Sequence, residues 1–537
     1  MGIIEIFINQ TVDAFMALFK VNSIDSLFSA LSNLLWAPPM VIVLVGAGLY
    51  FSIRTRFLQV RKIKKMVSLL FGGQSSDKGV SSFQAFALAV AGRVGTGNIV
   101  GVATAIAYGG PGAMFWMWVI AFIGSGTAFV ESTLAQLYKE EIDGEYRGGP
   151  AYYFGKKGFK GFSLAFMIAA IIAEAFLKPS VQSNAIVTTI NENFGTGTII
   201  PMAIIVVLIA IIIIGGTKTV ARAAEIIVPF MSIGYMIVAI IIILININQI
   251  PAIFGLIFSS AFGLNAALGG SLGWAIIWGV KRGVFSNEAG QGTGAHAAAA
   301  AEVSHPAKQG LVQAFSVYFD TLLVCSATGL TILITKSYQV FQTGFGATNG
   351  VFKVYNGFQG AGQFLERITD AKMIGSAESI SMFTPTAFNT LLTSFGGKFV
   401  AIALFFFAFT TLMAYYYYAE TNMELLFKKK EESFRNVARW VLKVVFIFST
   451  CVFGLRSNAV AWAIADTGFA IMVWINIIGI LLISRPALIL FKDYEKREKD
   501  GTEDVKFDVS TLSEEDIKHF QGVTFWGGKE AGLSQED

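Results

Sequence analysis

Apolar residues occur along this chain in long unbroken runs rather than in short alternating segments. The runs 200–214 and 226–245 show no alternation of apolar and polar positions. A helix needs about 20 apolar residues to cross the hydrocarbon core of a bilayer, whereas the strands of a membrane barrel alternate over ~10-residue segments. The pattern therefore predicts an all-α polytopic membrane protein with about eleven transmembrane helices. The predicted spans are 38–53, 81–107, 114–138, 161–188, 198–215, 222–246, 271–300, 310–335, 397–420, 437–455 and 459–484.

Composition agrees with this pattern and excludes a soluble globular protein. Of 537 residues, 54% are hydrophobic and 14% are charged, and the mean hydropathy is +0.62. His296, His305 and His519 share no metal-ligand spacing, and Cys325 and Cys451 lie in apolar stretches, where cysteine is usually a small buried residue. No HExxH, CxxC, Walker or GxSxG sequence occurs. We therefore expect no catalytic site, no cofactor and no nucleic-acid partner.

Lys and Arg residues in short loops indicate the cytoplasmic side of a membrane protein. Their distribution predicts a plasma-membrane protein, in a bacterium an inner-membrane protein, with the N-terminus outside and the C-terminus in the cytoplasm. The residues that carry this prediction are Arg54, Arg56, Arg61, Lys62, Lys64, Lys65, Lys139, Arg147, Lys156, Lys157, Lys218, Arg222, Lys428 to Lys430, Arg435, Arg439, Arg485, Lys492, Lys496 and Arg497.

The segments outside the helical core follow from this orientation. Region 1–80 is expected to hold an amphipathic helix over 1–20, then the leading span and a basic cytoplasmic loop. The polar stretch 336–396 is predicted to be an external loop with a short helix after Pro385. The last region, 485–537, is predicted to be a cytoplasmic tail, of which residues 498–537 are charged and partly disordered.

Once the leading span is set aside, the remaining ten form two groups of five, at 81–246 and 271–484. Because five is odd, the two groups run through the bilayer in opposite directions, which is the inverted-repeat plan of many secondary transporters. The first helix of each group is rich in glycine, at 89–103 and at 279–295. One such stretch is equally well explained by close helix packing. Two at matching positions predict two broken helices.

Broken helices expose backbone groups that are costly at membrane depth unless they line a cavity or bind a ligand. The freed N–H groups suit a carboxylate, and the freed carbonyl groups suit an ammonium group or a sodium ion. The candidate residues in the first break are Gly95, Thr96, Gly97 and Asn98. Those in the second break are Gly283, Phe285, Ser286, Asn287, Glu288 and Gly290.

Several separated motifs resemble one known family of transporters. The sequence GPGAMFWMW at 110–118, followed by Gly124 and ESTLA at 131–135, closely resembles the signature of the alanine or glycine:cation symporter family. The runs 92–98 and 285–290 are similar to the first and sixth core helices of that family. The resemblance spans about 39–490 and implies a leucine-transporter-like fold of ten core helices and one leading helix. It also implies uptake of alanine, glycine or a near relative with sodium, or with protons in some members, and without ATP.

The resemblance also implies roles for individual side chains. The sequence AFTTL at 408–412 is similar to the family's Ala-Phe-Ser-Thr element, which implies that Thr410 and Thr411 bind sodium together with the backbone around Gly92 and Gly95. Gln182 matches a family glutamine that faces the substrate. The alternatives are a threonine bonded to its own helix and a glutamine bonded to a neighbouring helix. The full predicted substrate set is Gly95, Thr96, Gly97, Asn98, Gln182, Phe285, Ser286, Asn287 and Tyr415.

The chain departs from the family pattern beside these residues. It has Ala414-Tyr415 where the family usually shows Gly-Trp, and Lys178-Pro179 where the family shows Gly-Asn. Tyr415 keeps an aromatic surface and adds a hydroxyl, so the pocket wall is altered. The identity of the transported amino acid is left open by these changes.

Lys178 lies near the middle of a predicted span, where a charge costs roughly 2.5–3.5 kcal/mol on insertion scales. It is expected either to pair with Glu174, one helical turn earlier, or to approach the site and replace a cation. The second case would shift coupling toward protons or favour an acidic substrate. Lys281 and Arg282 are expected to form local ion pairs with Glu288 at the second break.

The sequence therefore predicts a secondary transporter that imports a small neutral amino acid with sodium by alternating access. A proton-coupled or broader amino acid carrier of the same fold is the main alternative, and a channel or membrane enzyme is the remote one. A channel would lack saturable uptake, and an enzyme would need a cluster of nucleophiles or metal ligands that the sequence does not contain. The oligomeric state is not predicted.

Overall fold

The computed structural model describes residues 21–73, 75–263, 271–342, 353–358, 364–367, 377–502 and 504–533. The predicted amphipathic helix at 1–20 lies outside the described residues, and so do parts of the predicted external loop.

Helices make up most of the described chain, as the apolar pattern predicts. In chain order they are α1 (Ile24–Leu35), α2 (Pro38–Arg54), α3 (Leu58–Arg61), α4 (Ile63–Leu70), α5 (Ser82–Arg93), α6 (Val102–Gly109), α7 (Ala113–Leu137), α8 (Pro150–Lys156), α9 (Lys160–Ile172), α10 (Pro179–Phe194), α11 (Ile199–Ile214), α12 (Gly216–Ile245), α13 (Ile250–Ala261), α14 (Ser271–Asn287), α15 (Thr293–Ala299), α16 (Pro306–Val317), α17 (Ser326–Ile334), α18 (Phe383–Leu392), α19 (Phe395–Leu426), α20 (Glu432–Gly454), α21 (Asn458–Ile483), α22 (Arg485–Lys499) and α23 (Glu514–Ile517).

Within the described ranges, two small antiparallel sheets lie in the connections between helices. The first pairs β1 (Glu140–Ile142) with β2 (Glu145–Arg147), so that Glu140 is opposite Arg147. The second has the order β3-β4-β5 and consists of Gln339–Gln342, Lys353–Phe358 and Phe364–Arg367. It belongs to the predicted external loop, and the short helix expected there is present as α18, which begins two residues before Pro385.

Seven helical stretches among the described residues are long and apolar enough to cross a membrane, or up to nine if each of two bent pairs counts as one span. The bent pairs are α1 with α2, at 43°, and α5 with the segment 97–109, at 53°. The apolar helices α11 and α13 are shorter than the others. The architecture is thus that of a polytopic helical membrane protein, whereas the count of eleven spans and the inverted repeat stay predictions.

Both glycine-rich stretches interrupt their helices, as predicted. The first break follows Arg93, where the chain runs through Val94–Thr96 into a wide turn with π-helical hydrogen bonding at Gly97–Gly101. The second break lies between α14 and α15, where Glu288 has φ +55°. Gly290 and Gly292 have φ +91° and +88°, which glycine adopts without the strain that a Cβ would cause.

The described part of the chain has two further wide turns with π-helical hydrogen bonding, and both lie inside long helices. One is Ala173–Leu177, between α9 and α10, and it carries Glu174. The other is Tyr318–Cys325, between α16 and α17, and it carries Asp320. Such turns are frequently found at functional sites.

The helices around the breaks approach one another closely. Helix α7 packs against α2, α14, α15 and α16, and α19 packs against α5, α10 and α12. A Cβ at Gly283 in α14 would lie 2.5 Å from Ile120 Cγ2 in α7. Small residues at helix contacts are typical of membrane proteins, where van der Waals packing holds helices together.

The basic loops meet at one end of the bundle, which we call the lysine-rich end. Glu140 in β1 contacts both Lys156 and Lys428, each at 2.6 Å. Asp143 accepts hydrogen bonds from Arg435 and Arg439 of α20. The loops 139–160 and 427–439 therefore share this end.

The C-terminal segment 504–533 also packs at the lysine-rich end. The charged sequence of the tail instead predicts partial disorder. The indole N–H of Trp526 donates to the Gln136 carbonyl at 2.9 Å, and the Lys157 ammonium donates to the His519 carbonyl at 3.0 Å. The difference arises because apolar side chains are spaced through the charged tail and become buried together. They are Phe507, Val509, Phe520, Val523 and Trp526.

Candidate functional site

The first break is held open by hydrogen bonds to side chains. The Gly95 N–H donates to Asn98 Oδ1 at 2.9 Å, and Asn98 Nδ2 donates to Asp320 Oδ1 at 2.6 Å. Asn98 therefore satisfies the broken backbone on one side and anchors it to the wide turn after α16 on the other.

Gln182 binds the same break from α10. Its Oε1 accepts from the Thr96 N–H at 3.0 Å and from the Thr96 hydroxyl at 2.6 Å. Its Nε2 donates to the Tyr415 hydroxyl of α19 at 3.3 Å. Three members of the predicted substrate set thus lie together, all of them buried.

The second break is tied to the same wide turn as the first. The Ser286 hydroxyl donates to Asp320 Oδ2 at 2.8 Å, and Asn287 Nδ2 donates to the Thr321 hydroxyl at 3.3 Å. Asn287 Oδ1 accepts from the Ala289 N–H at 3.0 Å, which satisfies one amide of the break. Asp320 therefore bridges both breaks, with one carboxylate oxygen bonded to each.

The two breaks touch each other at Gly97. A Cβ at that position would lie 3.2 Å from Ser286 Cα and 3.3 Å from the Phe285 ring, so glycine permits the approach. The ring of Phe285 in turn packs against Trp462 and Phe469 of α21, each with centroids 5.0 Å apart. The structure therefore brings Gly97, Phe285 and Ser286 together, as the predicted set requires.

The two predicted sodium hydroxyls point in different directions. The Thr411 hydroxyl lies 2.9 Å from the Ala91 carbonyl oxygen and 3.5 Å from the Val94 carbonyl oxygen, at the C-terminal end of α5. Both hydroxyls also lie near the Phe407 carbonyl oxygen of their own helix, at 3.0 Å for Thr411 and 2.9 Å for Thr410. The Thr410 hydroxyl makes its contact outside the helix with Met231 Sδ, at 3.9 Å. Thr411 therefore faces the first break, whereas Thr410 faces α12.

The two glycines predicted to help bind sodium, Gly92 and Gly95, lie against different side chains of α19. A Cβ at Gly95 would overlap the Thr411 hydroxyl and would lie 3.0 Å from Gln182 Oε1. Gly95 thus joins the predicted sodium residues to the predicted substrate residues. A Cβ at Gly92 would lie 2.5 Å from the Tyr418 hydroxyl, so this glycine faces a position about two helical turns after Thr411.

A cavity of about 300 Å³ opens near the C-terminal end of α6, away from the lysine-rich end where α5 begins. Arg282 and Asp466 line it and form a bidentate ion pair, with both N···O distances 3.0 Å. The Arg282 guanidinium also lies over the Trp462 ring, 4.1 Å from its centroid. Trp462 lines the cavity and packs against Phe285, so it is shared by the cavity and the region of the breaks.

The match to known proteins decides the family. A family model described as the sodium:alanine symporter family matches residues 21–509. The chain belongs to this family.

Two bacilli supply similar curated proteins. The chain is 52% identical over 499 residues to the putative sodium/proton-dependent alanine carrier protein YrbD of Bacillus subtilis (strain 168), covering 93% of this chain and 96% of that protein. It is 45% identical over 468 residues to the sodium/proton-dependent alanine carrier protein of Bacillus sp. (strain PS3), covering 86% and 99%. It is also 37% identical over 500 residues to the probable sodium/glutamine symporter GlnT of Bacillus subtilis (strain 168), covering 92% and 94%.

Membership in the sodium:alanine symporter family confirms the resemblance read from the sequence and confirms transport rather than catalysis. The ion-pair partner of Lys281 and Arg282, near the second break, differs from the predicted one. Lys281 and Arg282 both pair with Asp466 rather than with Glu288. The sequence could not indicate this partner, because Asp466 lies on α21, far along the chain.

Neither Asp320 nor Trp462 has a specific role predicted from the sequence, and Arg282 has only a predicted local ion pair with Glu288. The structure places all three residues at the breaks or beside them. A charge inside an apolar span was the available signal for Asp320 and Arg282. Trp462 begins the run WAIAD at 462–466, which is similar to the last core helix of the family, but that resemblance predicts no specific role for its ring.

Proposed function

We propose that this member of the sodium:alanine symporter family imports alanine, glycine or a close relative together with sodium by alternating access. The observation that carries the proposal is the position of Gly95, which lies between Thr411 and Gln182. A ligand bound at the first break would therefore contact the predicted sodium residues and the predicted substrate residues at once. Such contact allows the two to bind cooperatively, because each ligand stabilises the same backbone arrangement.

For the substrate we infer a site at the contact between the two breaks. The amide groups of the first break would bind the substrate carboxylate. The side chains of Gln182, Tyr415 and Ser286 would surround the rest of the substrate. The close approach of Gly97 to Ser286 and Phe285 supports a small side chain on the substrate. Alanine and glycine meet this limit, and the names of two relatives refer to alanine.

For sodium we infer a site beside Thr411. Its hydroxyl and the carbonyl oxygens of Ala91 and Val94 supply hard oxygen ligands on two sides of the same space. Thr410 can add a second hydroxyl if its side chain rotates away from Phe407, and the backbone at Gly92 and Gly95 would complete the shell.

We further propose that the lysine-rich end faces the cytoplasm and that the cavity lined by Arg282, Trp462 and Asp466 faces outside. The N-terminus would then be external and the C-terminal segment cytoplasmic. In this orientation the bidentate ion pair and the Trp462 ring would close the external path to the breaks.

Uptake of labelled alanine by proteoliposomes tests the proposal. We expect saturable uptake that depends on an inward sodium gradient and that falls to the level of empty liposomes when choline replaces sodium at fixed pH. Equal uptake in choline would contradict sodium coupling.

A carrier of broader specificity is the second candidate, because a relative is named for glutamine and because Tyr415 and Lys178 depart from the family pattern. A competition panel of glycine, serine, D-alanine and glutamine at fixed sodium separates the two. We expect glycine to compete strongly and glutamine weakly, and stronger competition by glutamine than by glycine would favour the broader carrier.

A further inference from the structure

Three ionisable side chains form a buried cluster between the wide turn at Ala173–Leu177 and the second break. The Lys178 ammonium lies 2.7 Å from Glu174 Oε1 and 3.2 Å from Glu288 Oε1. The three side chains are 0%, 0% and 1% exposed in the order Lys178, Glu174 and Glu288. The pair with Glu174 that the sequence predicted is therefore present, and a second carboxylate joins it.

The cluster carries more negative than positive charge. When all three groups are ionised, two carboxylates face one ammonium, and one negative charge is left without compensation. An uncompensated charge in a water-excluded site is costly, so the cluster has to take up a cation or lie beside another positive charge.

Among the residues that the structure describes, the titratable groups around the cluster do not supply that charge. Glu174 faces Lys178, Glu288, Tyr415 and Tyr418, and Glu288 additionally faces Glu131 on α7. A further cation, Arg93 on α5, contacts Ser316 and faces two other buried carboxylates, Glu131 and Asp320. The charge of Arg93 is therefore already opposed by carboxylates outside the cluster. His296 also faces Lys178, and its ring bonds to the Asn422 side chain.

The two carboxylates differ in how their oxygens are used. Glu288 Oε1 contacts Lys178, and its Oε2 accepts from the Thr293 hydroxyl at 2.6 Å. Glu174 Oε1 accepts from Lys178 and, at 3.4 Å, from Gln291 Nε2. Glu174 Oε2 is buried and has no hydrogen-bond partner among the residues that the structure describes. This oxygen is the one available to a further ligand.

The cluster is connected to both breaks. Glu288 is itself part of the second break, with φ +55°. The Lys178 ammonium lies 3.9 Å from the centroid of the Tyr415 ring, whose hydroxyl accepts from Gln182. Gln182 in turn holds Thr96 of the first break. A change of charge at Glu174 is thereby passed to the residues that we assign to the substrate.

We propose that Glu174 binds and releases one proton in each transport cycle, so that the cluster of Glu174, Lys178 and Glu288 is a proton-coupling site separate from the sodium site at Thr411. The inference rests on the proposed transport of alanine. Binding forms an O–H bond at Glu174 Oε2 with a proton from the external solution, and release breaks that bond toward the cytoplasm. A proton suits this place better than sodium, because an ammonium already lies 2.7 Å from the same carboxylate.

The test uses the full chain in proteoliposomes that contain a trapped pH indicator and a clamped membrane potential. Addition of external alanine should acidify the interior of vesicles that hold the parent. In Glu174→Gln vesicles, sodium-driven alanine uptake should persist while the acidification falls at least tenfold and uptake no longer varies with pH. This substitution leaves Lys178 paired one-to-one with Glu288, so the buried charges remain balanced. Glu225→Gln, which changes a membrane glutamate bonded to Gln84 away from the cluster, is the matched control and should behave like the parent.

Acidification by Glu174→Gln at the parent's rate would overturn the inference, and so would alanine uptake by the parent without acidification. Absence of alanine uptake by the parent is a different result, which would overturn the proposed function itself. Glu174→Asp is the second variant, since it keeps the acid but shortens it by one methylene and weakens its contact with Lys178. It should retain acidification with a shifted pH midpoint, and an unchanged midpoint would also contradict the assignment.

Discussion

The Thr411 hydroxyl lies 2.9 Å from the carbonyl oxygen of Ala91, across the gap between α19 and the last turn before the first break. Both Thr411 and its neighbour Thr410 bond to the Phe407 carbonyl of their own helix, but outside that helix the Thr410 hydroxyl contacts Met231 of α12 rather than α5. Two adjacent threonines of the same motif are therefore in different environments, and a pair of matched substitutions distinguishes them.

Thr411→Ala should raise the sodium concentration for half-maximal alanine uptake about tenfold, because the loss of one oxygen ligand is worth about 1.4 kcal/mol. Thr410→Ala is the control and should change it less than threefold. Sodium activation curves at saturating alanine measure both. A larger effect of Thr410→Ala would place the ion on the other side of α19.

Gly95→Ala should abolish transport, because its Cβ would overlap the Thr411 hydroxyl and crowd Gln182 Oε1. Gly46→Ala in α2 is the matched control, since a Cβ there would have no atom of the described residues within 4 Å. Uptake is to be compared at equal amounts of reconstituted protein. Parent-like uptake by Gly95→Ala would show that the first break does not lie against α19 during transport.

Two substitutions of Tyr415 separate its ring from its hydroxyl. Tyr415→Phe removes the bond from Gln182 but keeps the ring beside Lys178, and we expect a several-fold rise in the KM for alanine with an unchanged melting temperature. Tyr415→Leu also removes the ring, whose contact with a desolvated ammonium is worth about 2 kcal/mol, and should lower the melting temperature. Equal melting temperatures of the two variants would contradict a stabilising contact with Lys178.

Asp466→Asn should lower the free energy of unfolding by about 3 kcal/mol, because it leaves Arg282 and Lys281 buried beside one another without a counter-charge. Addition of Lys281→Met removes one of these cations and should recover part of the loss. Denaturation in mixed detergent micelles measures this double-mutant cycle. Strictly additive effects of the two substitutions on the free energy of unfolding would indicate that Asp466 and Lys281 do not interact.

Trp526→Ala should release the C-terminal segment from the lysine-rich end, because truncation of a buried tryptophan costs about 3–5 kcal/mol and also removes the bond to Gln136. Proteolysis of the segment in reconstituted protein should become faster, while the rate of proteolysis within the helical core stays the same. Lys529→Ala, at an exposed position of the same segment, serves as the control and should be cleaved at the parent's rate.

The C-terminal tail is a case in which the charged composition does not indicate the burial of individual apolar residues. Its Lys, Glu and Asp content predicted partial disorder, yet Phe507, Phe520 and Trp526 are buried. Their burial depends on surfaces contributed by the Gln136 and Ser304 regions, which are distant in sequence. Composition averages over such residues and cannot show that they share a surface.

The sequence by itself determined the helical membrane architecture and the positions of both breaks, because the lengths of apolar runs and the placement of glycine are local properties. Through its motifs it also determined the family. Only the tertiary structure decided which side chains meet: Asp320 bridges the two breaks, Thr411 rather than Thr410 faces the first, and Glu288 joins Lys178 while Arg282 joins Asp466. These partners come from helices far apart in the chain, and the direction of a side chain depends on the rotation of its helix against all its neighbours, which a linear pattern does not contain.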